Sequence, residues 1–236
     1  VRTADPAAFM HDRASRLVEV GNFEDDLASL SECDWIVEAV VERLDVKRSL
    51  YERIDTVRGD DAIVSSNTST IPLSRLTEGL PERFRRSFLI THFFNPPRYM
   101  RLLELVTGPD TDPRRAEAIA RFCDEGLGKG VVRAKDTPGF IANRIGAMWL
   151  GLGVAAAVED GITVEQADAV LGRPFGIPKT GVFGLLDLVG LDLMPHIQAS
   201  MAQLLPASDP VVNIPPPPEF LSHLVQDGYT GRKGKG

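Results

Sequence analysis

One histidine and one glutamate in this sequence have the residue types and the spacing of an acid–base pair. His92 stands near the end of the apolar run Phe88–Phe93, and Glu104 lies inside the next such run, Leu102–Val106. Adjacent strands could bring the two side chains into contact, and a carboxylate bonded to an imidazole fixes its tautomer and favours its charged form. A lone histidine is more often structural. The nearby carboxylate is what favours proton transfer to or from a substrate hydroxyl.

A cluster of small polar residues, Ser66–Thr70, follows another strand candidate, Ala62–Ser66. Ligands of open α/β sheets bind at the carboxyl ends of the parallel strands, which is where this cluster is expected. Taken alone, such a cluster is more often a turn or a helix cap. The histidine on the next strand candidate changes that balance and makes the cluster a candidate ligand site.

An amide side chain, Asn143, lies in the segment Asp136–Arg144. Thr137 could cap a helix with Pro138 at its first position, which places Asn143 one turn inside that helix. A single asparagine is more often an exposed polar residue of a helix. At a domain junction that faces a cleft, it could instead donate a hydrogen bond to a substrate carbonyl.

Other kinds of site find less support in the sequence. The four histidines and two cysteines show none of the paired spacings of a zinc site, so we predict no metal. Ser69 is not in a Gly-x-Ser-x-Gly elbow, which argues against a serine hydrolase. The run Gly151–Ala156 matches Gly-x-Gly-x-x-Ala, but it lies inside a helical pattern and is rejected as a phosphate-binding loop.

The first half of the chain alternates strand candidates with helical patterns. A helix is expected over Leu44–Ile54, and another begins at Asp112–Pro113 and ends near Gly126. This alternation predicts a doubly wound parallel sheet covered by helices. The strand candidates are residues 34–40, 62–66, 88–93 and 102–106.

The strand-like runs end near Asp136, and the remaining sequence predicts helices separated by Gly and Pro breaks. We therefore expect an α/β domain over residues 1–135 and an all-α domain over residues 136–236. Thr163 is expected to cap one of the helices. The predicted helices are residues 140–158, 164–171 and 219–226, with one more inside 185–205.

Composition argues against several classes of protein. The net charge of -7 and the scattered basic residues speak against a nucleic-acid partner. No apolar stretch reaches the roughly 20 residues that span a bilayer, and the first residues show no secretory signal. Cys33 and Cys123 lack a paired spacing and are expected to be free thiols in a reducing compartment. We therefore predict a cytoplasmic protein without a membrane partner.

Several motifs together resemble the 3-hydroxyacyl-CoA dehydrogenase family in order and spacing. They are the polar cluster that contains Ser69, the stretch His92–Pro96, Glu104, and the segment Asp136–Arg144. Three further stretches extend the resemblance over nearly the whole chain, namely Val37–Lys47, Leu185–Asp192 and Gly231–Lys233.

The resemblance implies an NAD-dependent oxidoreductase of fatty acid β-oxidation that interconverts (S)-3-hydroxyacyl-CoA and 3-ketoacyl-CoA. It implies that His92 is the catalytic acid/base, that Glu104 orients it, and that Ser69 and Asn143 contact the reacting end of the substrate. A Rossmann-like domain would bind NAD, and the helical domain would bind the acyl-CoA and form a homodimer. An enoyl-CoA hydratase is often fused to such a unit. The residues implied to lie against NAD are Val40, Val41, Glu42, Lys47, Ser69, Asn95 and Lys233.

The sequence departs from the family pattern in three places. The first strand and its glycine-rich turn are not found after Val1, so we expect an amino-terminal truncation and an incomplete Rossmann-like sheet. Gly181-Val182 replaces the usual second Gly-Pro step, which leaves the acyl chain-length preference open. The sequence also ends before the aromatic segment expected after Gly231–Lys233.

Two other interpretations remain open from the sequence. A related β-hydroxyacid dehydrogenase shares the two-domain plan but relies on a lysine base, and the His92–Glu104 pair argues against it. A non-catalytic structural or interaction fragment on the same scaffold is the second.

Overall fold

A computed structural model describes residues 7–177, 180–232 and 234 and divides the chain into two compact units. The first unit extends to Thr137, and the second begins at Pro138. Lys233, a predicted cofactor residue, lies outside the described residues, as do Pro178 and Lys179 of the departing segment near Gly181.

The first unit is built on a five-stranded sheet with the strand order β1-β2-β3-β4-β5. Strands β1, β2 and β3 are parallel, β4 is antiparallel to β3, and β5 is parallel to β4. The predicted Rossmann-like α/β fold class is confirmed, and the parallel sheet has one antiparallel pair, β3 with β4, which was not expected. Only residues 94–101 join β3 to β4, whereas a parallel crossover needs about a dozen residues or more. The strands are β1 Trp35–Glu38, β2 Ile63–Ser66, β3 Phe88–Phe93, β4 Leu102–Thr107 and β5 Gly130–Ala134.

Helices cover both faces of this sheet. They are α1 Leu44–Val57, α2 Leu73–Thr77, α3 Glu82–Ser87 and α4 Pro113–Arg121, which continues into a π-helical turn, Phe122–Gly126. Ile119 of α4 packs with Leu89 and Leu103, whereas the Tyr51 ring of α1 contacts Phe88 with 5.1 Å between centroids. Successive side chains of a strand point to opposite faces, so Phe88 and Leu89 contact different helices.

The described residues of the second unit form helices and no strand, which confirms the predicted all-α class. Thr163 caps its helix through a hydrogen bond from the Gln166 amide, as expected. The region 185–205 contains parts of two helices rather than one, since the chain breaks at Gly190. The helices are α5 Ala142–Glu159, α6 Val164–Val170, α7 Gly181–Val189, α8 Leu193–Leu204 and α9 Glu219–Gln226.

The expected helix start at Thr137 and Pro138 is wrong, because α5 begins only at Ala142. Gly139 and Phe140 have φ angles of 75° and 46°, and this left-handed backbone cannot continue a right-handed helix. Asn143 is consequently the second residue of α5 and not a residue one turn inside it.

The rejected glycine motif lies inside α5, as predicted. A Cβ atom on Gly153 would stand 3.0 Å from Leu171 and from Val182. This glycine therefore serves the close packing of α5 against its neighbours.

None of the described helices combines the length and the apolar character needed to cross a membrane. In the described part of the chain, no three His, Cys, Asp or Glu side chains group as metal ligands. Both cysteines are free thiols, and burial raises the pKa of Cys123 to about 11.

Candidate active site

His92 and Glu104 occupy directly opposed positions on the antiparallel strands β3 and β4. Opposed side chains on one face of such a pair stand close enough to bond. The His92 Nδ1 atom lies 2.8 Å from Glu104 Oε2, and the two residues are 6% and 1% exposed. Their predicted contact is confirmed. Because a carboxylate only accepts, Nδ1 carries the proton in the neutral ring, and Nε2 is the basic nitrogen.

The chain around His92 is fixed from two sides. The Phe94 ring packs against the imidazole, with 4.5 Å between centroids and 59° between planes. The Phe93 amide donates to Asn67 Oδ1 at 2.9 Å, and the Asn67 amide donates to the Glu38 carbonyl at 2.8 Å. The carboxyl ends of β1, β2 and β3 are thereby tied together.

The polar cluster after β2 folds around the carboxylate of Glu42. Its Oε1 atom accepts hydrogen bonds from the Thr68 hydroxyl, from the Ser69 amide at 3.1 Å, and from both the amide and the hydroxyl of Thr70. Burial alone would raise the pKa of Glu42, but the Thr68 hydroxyl, the Lys47 ammonium and the Ser69 amide together hold it below its usual range. Glu42 therefore shapes the turn that presents Ser69.

Ser69 is half-buried, and its hydroxyl makes no hydrogen bond to any described residue. The hydroxyls of the neighbouring Ser66, Thr68 and Thr70 all donate to carboxylates of the first unit. Ser69 is thus the hydroxyl of this cluster that remains available to a ligand among the described residues.

Lys47 is 1% exposed and lies between two carboxylates. Its Nζ atom stands 2.8 Å from Glu38 Oε1 and 3.2 Å from Glu42 Oε2. Glu38 Oε2 also accepts from the Tyr51 hydroxyl at 2.6 Å and from the Ser66 hydroxyl at 2.7 Å. Sequence reasoning missed Glu38 and Tyr51. The available signal was a glutamate inside a β-branched run, nine residues before a lysine.

The other predicted site residues are distributed over both units. Val40 is half-buried, and Val41 is 62% exposed, just after the carboxyl end of β1. Asn95 is exposed after β3, at a cis peptide bond to Pro96. Its amide group makes no hydrogen bond to a described residue. Asn143, half-buried, belongs to the second unit. The first unit thus brings together His92 with Glu104, and Glu42 with Lys47 and Ser69.

Two family models match the chain in succession. Residues 2–137 match the model described as 3-hydroxyacyl-CoA dehydrogenase, NAD binding domain. Residues 139–236 match the model described as 3-hydroxyacyl-CoA dehydrogenase, C-terminal domain.

Individual proteins agree with these models. The chain is similar to a probable 3-hydroxyacyl-CoA dehydrogenase of Deinococcus radiodurans, with 42% identity over 98% of the chain and 65% of that protein. It is also 42% identical to a putative fatty acid oxidation complex trifunctional enzyme of Rickettsia felis, over 93% of the chain and 30% of that protein. The chain therefore spans less than two thirds of the length of either relative.

A solved structure, (S)-3-hydroxybutyryl-CoA dehydrogenase from Ralstonia eutropha, superposes with a TM-score of 0.77 and 28% identity. The superposition covers 94% of this chain and 75% of that one.

Proposed function

Because this chain belongs to the 3-hydroxyacyl-CoA dehydrogenase family, we propose that it carries the catalytic machinery of an NAD-dependent enzyme that interconverts (S)-3-hydroxyacyl-CoA and 3-ketoacyl-CoA in fatty acid β-oxidation. The observation that carries the proposal is the buried His92–Glu104 pair, with 2.8 Å between Nδ1 and Oε2. This pair supplies the proton transfer that the oxidation of a secondary alcohol requires.

In the oxidative direction, His92 Nε2 accepts the proton of the substrate 3-hydroxyl group while a carbonyl forms at C3. A nicotinamide bound at this unit would supply the hydride acceptor for C3. Glu104 accepts the Nδ1 hydrogen bond, so that Nε2 is the nitrogen without a proton in the neutral ring, and it stabilises the imidazolium that forms. In the reductive direction, the imidazolium returns the proton to the carbonyl oxygen.

The residues at the carboxyl ends of β1, β2 and β3 fit a dinucleotide by the chemistry of their donors. The Ser69 hydroxyl and the Asn95 amide make no hydrogen bond to any described residue, so both can bind NAD without breaking a bond of the fold. Val40 and Val41 offer apolar contact next to them. These ends are where ligands of such sheets bind.

Glu42 and Lys47 support the cofactor-binding surface from beneath. Lys47 is too deeply buried to project from the surface, and its ion pair with Glu42 holds the turn that carries Ser69. We propose that Ser69 and Asn143 contact the reacting end of the acyl-CoA, as the family resemblance implies. The role of Lys233 stays a prediction.

The partners follow from the same proposal. The substrate is an acyl-CoA, the helical unit mediates a homodimer, and the protein works without nucleic acid or membrane in the cytoplasm. A fused or associated enoyl-CoA hydratase is suggested by the trifunctional enzyme of Rickettsia felis, of which this chain matches 30%.

The test is the reduction of acetoacetyl-CoA by NADH, followed as loss of NADH absorbance, with NADPH in a parallel assay. His92→Gln removes the acid/base and should lower kcat by about 100-fold to 10,000-fold. The matched control is His223→Gln, since His223 is an exposed residue of α9, and it should keep full activity. Comparable turnover by the His92→Gln protein, or no turnover by the unaltered one, would overturn the proposal and favour a non-catalytic role.

A further inference from the structure

Lys129 is a buried cation that the proposed reaction does not use. It is 6% exposed, and its Nζ atom donates to the carbonyls of Met100, at 2.8 Å, and of Pro97. It also lies 5.8 Å from the centroid of the Phe93 ring. No carboxylate pairs with it among the described residues.

An unusual backbone conformation precedes this buried lysine. The α4 helix ends in a π-helical turn, and the Leu127 amide that closes this turn bonds the Phe122 carbonyl. Gly128 then has a φ of 65°, and the Lys129 amide bonds back to the Cys123 carbonyl at 2.9 Å. Wide turns of this kind are rare and often occur at functional sites.

The two carbonyls belong to the segment that joins β3 to β4, residues 94–101, here called the β3–β4 link. This link begins with Phe94, which packs against the His92 ring, and continues with Asn95. The Gly130 amide, one residue after the lysine, bonds the Arg101 carbonyl at 2.8 Å and fixes the other end of the link.

A buried ammonium without a carboxylate is stabilised only by the dipoles and the aromatic face around it, so its position depends on the link having this conformation. Conversely, the carbonyls of Pro97 and Met100 depend on this donor. We propose that Lys129 is a positioning residue that holds the β3–β4 link, and through Phe94 the ring of His92, in the geometry for proton transfer. This inference rests on the proposed function.

The experiment compares three variants of the full chain. Lys129→Met keeps the apolar stem and removes all donors, whereas Lys129→Gln keeps N–H donors without the charge and carries the test if the Met protein does not fold. Arg115→Met is the control, because Arg115 also donates to two backbone carbonyls, those of Asp60 at 3.0 Å and Ala62 at 3.3 Å, before β2.

Hydrogen exchange of peptides that cover residues 94–101 reports the link without any turnover. We expect exchange in the Met variant to be about tenfold faster or more, with a smaller change in the Gln variant and none in the control. The kcat for acetoacetyl-CoA reduction should fall by about tenfold to 100-fold with a smaller change in KM, because a misplaced base slows the chemical step.

Unchanged exchange in the link, faster exchange with unchanged kcat, or an equal loss of kcat in the control would overturn the role of Lys129. If none of the proteins, the unaltered one included, turns over substrate but exchange in the link changes as expected, the proposed function is overturned. The role of Lys129 in holding the β3–β4 link is then still supported.

Discussion

Two buried carboxylates, Glu38 and Glu104, lie toward the end of the sheet where β1, β2 and β3 finish, and their partners differ in chemistry. Glu104 bonds an imidazole on the neighbouring antiparallel strand, whereas Glu38 bonds the ammonium of Lys47 on a helix. A neutral imidazole can accept a proton at one ring nitrogen while the other donates a hydrogen bond, whereas an ammonium has only donors. The first arrangement can therefore move a proton, and the second can only hold the structure in place.

The largest effect that would test this division is expected from Glu104→Gln. The amide oxygen can still accept the Nδ1 hydrogen bond, but it no longer stabilises an imidazolium, so kcat should fall by about 100-fold or more. The assay is acetoacetyl-CoA reduction, with thermal unfolding as the control for folding. A kcat within about threefold of the unaltered protein would mean that His92 acts without its carboxylate.

The second effect, on stability, is expected from Lys47→Met. Removal of the ammonium leaves Glu38 and Glu42 without their cation, at a site where Lys47 and Glu38 are almost fully buried. The free energy of unfolding should fall by about 3–5 kcal/mol. Urea unfolding followed by Trp35 fluorescence, in a Trp149→Phe background, reports the first unit.

A double variant, Lys47→Met with Glu38→Gln, is the matched control for that measurement. The second substitution removes the charge of Glu38, which Lys47→Met leaves buried without a cation. The double variant should therefore recover part of the lost free energy of unfolding, and a double-mutant cycle measures this coupling. If Lys47→Met alone lowers the free energy of unfolding by less than about 1 kcal/mol, the ion pair contributes no more than an exposed one does. That result would contradict a structural role for Lys47.

The smallest effect concerns acid stability and Glu42. Its folded pKa lies below the ordinary value of about 4.5, so its contribution to stability is complete above that value and is lost as the pH falls through the folded pKa. Glu42→Gln should therefore flatten the decline of the urea midpoint between about pH 5 and pH 3. Glu52→Gln, on the exposed side of α1, should leave the decline as it was; equal flattening in both variants would contradict the assignment.

The sequence was sufficient to locate four of the five strands and the contact between His92 and Glu104. The alternation of apolar runs and their β-branched composition place these four strands within a few residues of their observed bounds. His92 and Glu104 are conspicuous because each interrupts an apolar run with a polar side chain. What the sequence reasoning overlooked was the direction of β4, although the length of the β3–β4 link excludes a parallel crossover.

Other features could not be predicted, because they depend on tertiary contacts. The start of α5 depends on left-handed angles at Gly139 and Phe140, and a phenylalanine gives no sign of such a conformation. Lys129 lies between two glycines in the sequence, and nothing in that pattern indicates the π-helical turn that precedes it or the burial of its side chain. Glu42 was expected at a cofactor, which stays a prediction, and its place at the centre of the turn that carries Ser69 became visible only in the structure.

The reversal of strand direction at the β3–β4 link also determines which face of the sheet α4 covers. Crossover connections between parallel strands are almost always right-handed, so α1 and α4 would lie on one face if all five strands ran the same way. Because β4 and β5 run in the opposite direction, the same handedness carries α4 to the other side, over Leu89, Leu103 and Leu105. Because β3 and β4 are joined by a short antiparallel connection, right-handed crossovers place α1 on one face of the sheet and α4 on the other.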